Sequence, residues 1–314
     1  MNGVGLLLPF RSCGAGDAVR LGLEAEALGF SSIWAPEVST FDAMAVAASL
    51  ASSTERIGIG TAIVPLASRT PVSLAMGAAS LADIAPGRVA IGVGISTRMI
   101  VENWHGGVFD HPLARVRDSL TIMNQVLAGQ TADHAGAEVS CKGFKLDVLP
   151  PQRPRLLLAA LGQGMRRLAL ELTDGVILNF LPRSKAGHIL SQNPSNAKPF
   201  ETECFVRVAL SDADGIAERR IRREMASYLR IEQYRNWLSS FGFGDLNYRK
   251  GEDLESMARR LPPEFVDDVA VFGDADECLE KLAELQRQGI TPIVVPSVSA
   301  GDLEGYRVLM KALA

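Results

Sequence analysis

The sequence lacks the features that mark several large classes of protein. Basic residues are not in excess, since 32 Lys and Arg against 36 Asp and Glu give a net charge of −4, and we expect no nucleic-acid partner. No apolar run approaches the length needed to cross a bilayer, so we expect no membrane association. The segment MNGVGLLLPF has neither the basic region nor the apolar length of a signal peptide, which favours a cytoplasmic protein.

Cysteine and histidine are also scarce, with four of each. Cys13, Cys141, Cys204 and Cys278 are far apart and form no C-x-x-C pair, so we expect reduced thiols and no structural zinc. The histidines do not combine with carboxylates at metal-ligand spacing, and the motif G-x-S-x-G is missing. Neither a metal site nor a hydrolase triad is therefore expected.

What the sequence does have is a large apolar fraction, 47%, arranged in short β-type runs that alternate with helical stretches. Strands that alternate with helices form a parallel sheet, and eight of them predict a closed (β/α)8 TIM barrel within a single domain, residues 1–314. An open doubly wound sheet is the alternative. The predicted strands are Gly3–Pro9, Ser31–Ala35, Arg56–Val64, Arg88–Gly94, Arg155–Ala160, Asp174–Asn179, Cys204–Leu210 and Thr291–Pro296.

Two stretches interrupt this alternation, after the fourth and the seventh units. Residues 129–154 contain three glycines and the Pro150-Pro151 pair, which predicts a small hairpin before the fifth strand. Residues 213–260 form a long, predominantly helical region after the seventh strand. A barrel accommodates insertions of this kind in its loops.

The fourth strand ends in the stretch GRVAIGVGISTRM, whose Gly92 and Gly94 resemble part of a dinucleotide-binding fingerprint. That fingerprint needs a third glycine at position 97, which is Thr97, and it normally follows the first strand. We therefore favour glycines that end a barrel strand and leave room for a ring system over the barrel mouth.

A better candidate for binding phosphate lies one strand later, at Gly162-Gln163-Gly164-Met165. Two glycines open a helix after a buried strand, so free N–H groups and the helix dipole can face an anion. The alternative is an ordinary strand-to-helix turn. The other segments that follow the strands are mostly apolar with few ionisable groups, which suits a flat hydrophobic cofactor that supplies its own chemistry.

Several stretches resemble one known family when they are taken together and in order. They are SSIWAPE, GTAIVPLASRTP, GRVAIGVG with VENWHG, HPLARVRDSLTIMNQVL, ALGQGMRRLALELTDGVILN and FGDADECLEKLAELQRQGITPIVVP. Their order and spacing resemble those of the bacterial luciferase-like superfamily and, within it, the coenzyme F420-dependent oxidoreductases. The resemblance covers most of the chain.

This resemblance implies an eight-stranded barrel, a homodimer formed through helices of the first half, and a flavin or deazaflavin at the carboxyl-terminal mouth. In the F420-dependent members a non-proline cis peptide in a bulge of the third strand supports the deazaflavin, which predicts a cis bond between Ala62 and Ile63. An acidic residue after the second strand lies near the ring in those members, which matches Glu37. The remaining residues that we expect at the cofactor are Val64, Gly94, Ile95, Ser96, Gly162, Gln163, Gly164 and Met165.

The leading functional hypothesis is an oxidoreductase in which hydride passes between C5 of coenzyme F420 and a small organic substrate. Glu37 or His105 would manage the accompanying proton, and Asn179 and Arg183 are candidate substrate contacts. The alternatives are an FMN-dependent monooxygenase and a non-catalytic flavin-binding protein. Many relatives have Asp-His after the second strand where this chain has Pro36-Glu37, and their sugar-phosphate-binding cations are not clearly matched here.

The resemblance and the arginines together predict tighter binding of coenzyme F420 than of FMN. The tail carboxylates of F420 would meet Arg166, Arg167 or Arg183 as screened surface pairs, and FMN lacks those carboxylates. The difference in affinity should shrink as the salt concentration rises.

Overall fold

A computed structural model describes residues 3–192, 199–212, 214–246, 249 and 251–314. Strands and helices alternate along most of the chain, as the hydrophobic pattern predicts. The strands are β1 (Gly5–Leu7), β2 (Ser32–Ala35), β3 (Gly58–Pro65), β4 (Val89–Gly94), β5 (Ala132–Ala135), β6 (Ser140–Phe144), β7 (Arg155–Ala159), β8 (Gly175–Asn179), β9 (Glu201–Leu210), β10 (Ala270–Gly273) and β11 (Thr291–Pro296).

The helices surround these strands, and several begin at a recognisable cap. Asp42, Thr70 and Asp274 each accept a hydrogen bond from the first turn of the helix that follows. The helices are α1 (Ala15–Ala27), α2 (Ala43–Ser53), α3 (Pro71–Ile84), α4 (Pro112–Leu127), α5 (Gln163–Leu172), α6 (Ala186–Leu190), α7 (Ile216–Tyr228), α8 (Glu232–Ser239), α9 (Leu254–Arg260), α10 (Pro263–Val269), α11 (Ala275–Arg287) and α12 (Leu303–Ala312).

Eight strands close into a parallel barrel, which confirms the predicted TIM fold. Their order around the barrel is β1, β2, β3, β4, β7, β8, β9 and β11, and β11 pairs back with β1. The strand β10, which the sequence analysis did not predict, pairs in parallel with the last residues of β9. It joins β9 beyond the point where β8 ends, because Asn179 pairs with Phe205 and Ala270 with Arg207.

The first interruption is the predicted hairpin. Strands β5 and β6 are antiparallel and lie between α4 and β7. Asp118 of α4 holds this hairpin, because its carboxylate accepts hydrogen bonds from the backbone of Glu138 and Val139 and contacts His134 Nε2 at 2.9 Å. Burial raises the pKa of Asp118, but these hydrogen bonds lower it by more than burial raises it. The pKa of Asp118 is therefore below its usual value.

The second interruption consists of several short helices, where the sequence analysis predicts one long helical region. In the described part of residues 213–260, the helices α7, α8 and α9 are separate, and α10 follows them. Gly242, which has a φ of 93°, follows α8, and the Pro262-Pro263 pair separates α9 from α10. Residues 193–198, within the polar segment before the seventh strand, lie outside the described residues.

The interior of the barrel is filled by apolar side chains from alternate positions of the strands, led by Trp34 of β2, which is 1% exposed. Gly60 of the neighbouring strand leaves room for it, since a Cβ atom at Gly60 would lie 2.1 Å from the indole ring. The other members of this cluster are Leu7, Ala62, Ala90, Leu157, Ile177, Ile293 and Val295. A second, larger cluster lies between the barrel and the helices.

Three general expectations concern the whole chain. All four cysteines are free thiols, as predicted. No helix in the described ranges is long and apolar enough to cross a membrane. Within the same ranges, no group of three or more His, Cys, Asp or Glu side chains is placed to hold a metal ion.

Candidate active site at the barrel mouth

The carboxyl-terminal ends of the eight strands meet at one end of the barrel, where active sites of this fold lie. Non-glycine residues with positive φ angles occur in the segments that follow three of the strands. They are Ser12 after β1, Ser96 and His111 after β4, and Phe180 after β8, with φ angles of 50°, 62°, 45° and 51°. Such backbone is strained, and strain of this kind is concentrated at functional sites. It therefore marks the mouth as the functional face independently of any motif.

The third strand is irregular where the sequence analysis predicts a bulge. The Ala62–Ile63 peptide bond is cis, which confirms that prediction. The register between β3 and β4 shifts between Thr61 and Val64. Ala62 belongs to the apolar cluster inside the barrel, and Ile63 packs against that cluster while remaining partly exposed. The bulge thus presents a small apolar surface at the mouth.

The two glycines of the fourth strand, Gly92 and Gly94, have different surroundings. A Cβ atom at Gly92 would lie 2.2 Å from the carbonyl oxygen of Thr61 and 2.6 Å from Ile177, so the prediction for Gly92 is wrong and its space is used by the β3 bulge. A Cβ atom at Gly94 would lie 3.0 Å from Ile63 and 3.2 Å from Ala159. Gly94 therefore keeps the strand ends of β3, β4 and β7 close together at the mouth.

The start of α5, where the sequence analysis predicts a phosphate site, is open to solvent. Gly162 is the N-cap residue, and Gly162, Gln163 and Gly164 are all exposed. The first-turn N–H groups of a helix have no acceptor within the helix, and this turn contains no acidic side chain. Arg166 lies in the next turn, and its Nε has no hydrogen-bond partner among the described residues. This helix start can accept an anion.

Glu37 is held by protein partners on both carboxylate oxygens. Arg69 forms a bidentate ion pair with it, at 2.5 Å to Oε1 and 2.9 Å to Oε2, and the backbone N–H of Ala43 donates to Oε2 at 3.0 Å. Ser68 Oγ donates to Oε1 at 3.2 Å, and Arg69 also pairs with Asp42. These contacts tie the segment after β2 to the segment after β3. The catalytic role of Glu37 stays a prediction.

The other predicted site residues differ in their surroundings. His105 is exposed and ends a π-helical turn, Met99–Trp104, which follows β4. Arg183 is buried, donates to the carbonyl oxygen of Ala270 at 2.9 Å, and pairs with Asp267 at 3.3 Å. The structure therefore gives Arg183 protein partners in place of a substrate or a cofactor tail.

Asn179 belongs to a buried polar cluster that the sequence analysis missed. Its Nδ2 donates to the hydroxyl oxygen of Tyr234 at 2.8 Å, and its Oδ1 accepts a hydrogen bond from Arg207. Arg207 lies in β9, is 2% exposed, and donates through Nε to Glu224 at 3.0 Å. Its guanidinium lies 5.0 Å from the ring centroid of Tyr228.

The charge of Arg207 is maintained despite its burial. Burial lowers the pKa of the guanidinium, but the Glu224 carboxylate raises it, and the net effect is a pKa above the ordinary value. A charged residue inside the apolar run CFVRVAL is the signal that could have identified it, because arginine is almost never fully buried unless it is paired. Its partners in α7 and α8 are distant in the sequence and could not be found in this way.

These features define a (β/α)8-barrel enzyme whose candidate active site is at the carboxyl-terminal mouth. The family model for luciferase-like monooxygenases matches residues 4–292, and the chain belongs to this family. The predicted family resemblance is thus confirmed.

Particular relatives agree with this assignment. The chain is 28% identical to a Mycobacterium tuberculosis protein provisionally named a coenzyme F420-dependent oxidoreductase, over 91% of this chain and 92% of that protein. The structure of the present chain is similar to that of the coenzyme F420-dependent tetrahydromethanopterin reductase of Methanopyrus kandleri, with a TM-score of 0.76 and 19% identity. The match covers 99% of this chain and 97% of the reductase. The structure is also similar to that of the FMN-bound oxygenating constituent of a type II Baeyer-Villiger monooxygenase from Pseudomonas putida, with a TM-score of 0.66 and 18% identity. This match covers 99% of this chain and 96% of that protein.

Proposed function

We propose that this enzyme is an oxidoreductase that uses coenzyme F420 to reduce or oxidise a small organic substrate. The main support is the open start of α5, where exposed Gly162 and Gly164 offer unpaired N–H groups to a phosphate beside an apolar barrel mouth. The F420-dependent names of the M. tuberculosis and M. kandleri proteins also support this cofactor.

The residues at the mouth fit such a cofactor. The start of α5, from Gly162 to Met165, would hold its phosphate, and the unpartnered Nε of Arg166 lies in the following turn. The ends of the neighbouring strands β3 and β4 would form an apolar seat for the ring. Its residues would be Ala62 and Ile63 of β3, with Gly94, Ile95 and Ser96 at and after the end of β4. The side chain of Val64, which the sequence analysis also expected at the cofactor, is 0% exposed and packs in the cluster outside the barrel, so only its backbone could contribute.

The bound deazaflavin would supply hydride chemistry at its C5 atom. The apolar side chains around the seat would exclude water and orient the reactants, which are the contributions that proteins make to cofactor chemistry. The Asn179 carboxamide, fixed by Arg207 and Tyr234, is proposed as a polar contact for substrate. Proton transfer is proposed for His105 or Glu37, and Glu37 would first have to give up part of its contact with Arg69.

Calorimetric titration of the purified protein with F420 and with FMN tests the cofactor. We expect tighter binding of F420, with a difference that shrinks between about 0.02 and 0.5 M salt because the tail carboxylates would form screened pairs with exposed cations such as Arg167. Equal or tighter binding of FMN at low salt would favour the monooxygenase instead. Binding of F420 without turnover of any candidate substrate would favour the non-catalytic flavin-binding protein.

The phosphate site is tested by Gly164→Val. A Cβ atom at Gly164 would lie 3.1 Å from the flexible end of Leu113, so the fold can accept the side chain while the helix start becomes crowded. We expect F420 and FMN both to bind about tenfold or more weakly, a loss of about 1.4 kcal/mol or more. Gly187→Val in α6 is the control, because nothing lies within 4 Å of a Cβ atom there. Unchanged affinity in a folded Gly164→Val variant would contradict the assignment of this phosphate site.

A further inference from the structure

A cavity opens at the same end of the barrel as the proposed ring seat. Its volume is about 610 Å³, and it lies between the ends of β1 and β11 and one face of α7. Phe10, Leu254 and Val298 contribute apolar surface to its wall. Arg11 and Arg220 contribute charge, and so does Arg223, one turn of α7 from Arg220. The cavity is large enough for a small organic molecule.

The charge of this cavity is opposite to that of the whole chain. Three arginines line it, of which Arg223 pairs with Glu255 at 3.2 Å, against two carboxylates, Glu224 and Asp302. Both carboxylates have protein partners, because Glu224 pairs with buried Arg207 and Asp302 accepts a hydrogen bond from Gly305 at the start of α12. Since the chain as a whole has a net charge of −4, a cationic cavity at the mouth is a local feature.

Donors in this cavity are not used up by the protein. Arg220 donates to the carbonyl oxygen of Ser297 at 2.9 Å and to Ser299 Oγ at 3.2 Å, which leaves other N–H groups of its guanidinium available. Arg11 contacts the ring of Phe10 at 5.6 Å and makes no hydrogen bond or ion pair with any described residue. Ser297 is 3% exposed and lines the cavity, and its Oγ has no partner in the described ranges. A buried hydroxyl without a partner is costly unless a ligand satisfies it.

The cavity and the proposed ring seat both lie at the carboxyl-terminal end of the barrel. Phe10, in the cavity wall, and Ile63, in the β3 bulge, pack against the same apolar cluster inside the barrel. A molecule in the cavity and a ring seated on the bulge would therefore share one mouth of the barrel.

We propose that this cavity binds an organic anion that has an apolar body, with its carboxylate or phosphate group on Arg11 and Arg220. That this anion is also the substrate depends on the proposed function. Guanidinium groups recognise both kinds of oxyanion through paired N–H donors. The apolar wall formed by Phe10, Leu254 and Val298 contacts the body of the ligand.

Calorimetric titration of the full chain without cofactor tests this site by itself, with hexanoate, hexyl phosphate and hexanol as probes. We expect both anions to bind at least about tenfold more tightly than hexanol, and the tighter anion identifies the preferred oxyanion. Arg11→Met and Arg220→Met should each weaken anion binding about tenfold and leave hexanol unchanged. Arg11 has no hydrogen bond to lose, so that variant should fold even where Arg220→Met is impaired. Arg56→Met, which removes an exposed guanidinium before β3, is the control.

Three results would overturn the proposal. They are equal affinities of hexanol and of both anions, no binding of either anion, and an equal loss in Arg56→Met and Arg11→Met. None of these measurements depends on F420, so failure of the cofactor assignment would be recognised separately in the F420 and FMN titrations.

Discussion

At the scale of single residues, Glu203 is a carboxyl group that is buried inside the barrel. It pairs in register with Ile177, whose side chain faces the barrel interior, so Glu203 faces the interior too. It is 6% exposed, and its Oε2 has no hydrogen-bond partner among the described residues. Burial, reinforced by the nearby Glu201 carboxylate, raises the pKa of Glu203 to about 8.

A raised carboxyl pKa makes folding stability depend on pH in a defined direction. The folded state binds the proton of Glu203 more strongly than the unfolded state, so the free energy of unfolding should decrease as pH rises from about 4.5 to about 8. Glu203→Gln removes this ionisation. We expect the variant to be more stable than the parent by roughly 2–4 kcal/mol at about pH 9, with a small difference at about pH 5.

Urea denaturation of both proteins at the two pH values measures this effect. Glu55→Gln is the control, because the Glu55 side chain is 88% exposed and its charge does not act on Glu203. Parallel stability curves for the parent and Glu203→Gln would show that the carboxyl is solvated in the folded protein.

At the scale of elements, ion pairs connect the loops that follow β2 and β3 at the barrel mouth. Glu37 and Asp42, which precede and cap α2, both bind Arg69 from the segment after β3. The side chains of Glu37 and Arg69 are 12% and 19% exposed, so solvent screens this pair less than a surface pair. The network holds the segment that follows the β3 bulge, where the ring is proposed to lie.

A double-mutant cycle with Glu37→Gln and Arg69→Met measures this fastening. We expect a coupling energy of about 1–3 kcal/mol in the free energy of unfolding, because both carboxylate oxygens accept from the guanidinium. The same cycle on Arg117 and Glu171, which are 46% and 47% exposed, should give about 0.2–1 kcal/mol.

The activity of Glu37→Gln separates a positioning role from a proton-transfer role. A residue that only positions the loops should leave the shape of the pH–rate profile unchanged, with the profile of His105→Gln as the comparison. If Glu37→Gln lost one limb of the profile while the coupling energy was near zero, the fastening role would be refuted and the sequence-based proton-transfer role supported.

At the scale of the whole molecule, the family resemblance predicts a homodimer through the first-half helices. Large apolar side chains are exposed on α1 and α3, namely Leu23 at 39%, Met76 at 48% and Ile84 at 48%. They lie on the first-half helices through which the resemblance implies the dimer, and we predict that the dimer covers them.

We expect Met76→Glu to weaken self-association about tenfold or more, since a charge at the centre of such an interface is costly to desolvate. Sedimentation velocity over a range of protein concentrations measures this effect. Val308→Glu on α12 is the control, because Val308 is 51% exposed but lies outside the first-half helices. A parent protein that sediments as a monomer at all concentrations would contradict the predicted dimer.

Much of the fold could be predicted because the signals are local. Short apolar β-type runs that alternate with helical stretches located the eight barrel strands. The strand β10 was missed because only four residues form it and they pair with the end of β9. The long region after β9 was predicted as helical, but the break at Gly242, between α8 and α9, was not.

The candidate site was predictable only in part, for a related reason. The glycines at the start of α5 and the small residues of the β3 bulge are contiguous in the sequence, so a motif can reveal them. Gly92 was misinterpreted because the atoms that fill its space belong to Thr61 and Ile177, which lie on other strands. Likewise, no local pattern connects Asn179 with Arg207 and Tyr234.

The sequence by itself determined the alternation of strands and helices, the apolar character of the mouth and the resemblance to a family, because periodicity and short motifs act over neighbouring residues. Tertiary structure decided which charged side chains are paired within the protein and which can contact a ligand. It paired Glu37 with Arg69, buried Arg183 and Arg207 among protein partners, and brought Arg11 and Arg220 to one cavity from positions 209 residues apart. Barrel closure brings together residues whose distance in the sequence carries no record of their contact, and burial then determines the electrostatic effect of each charge.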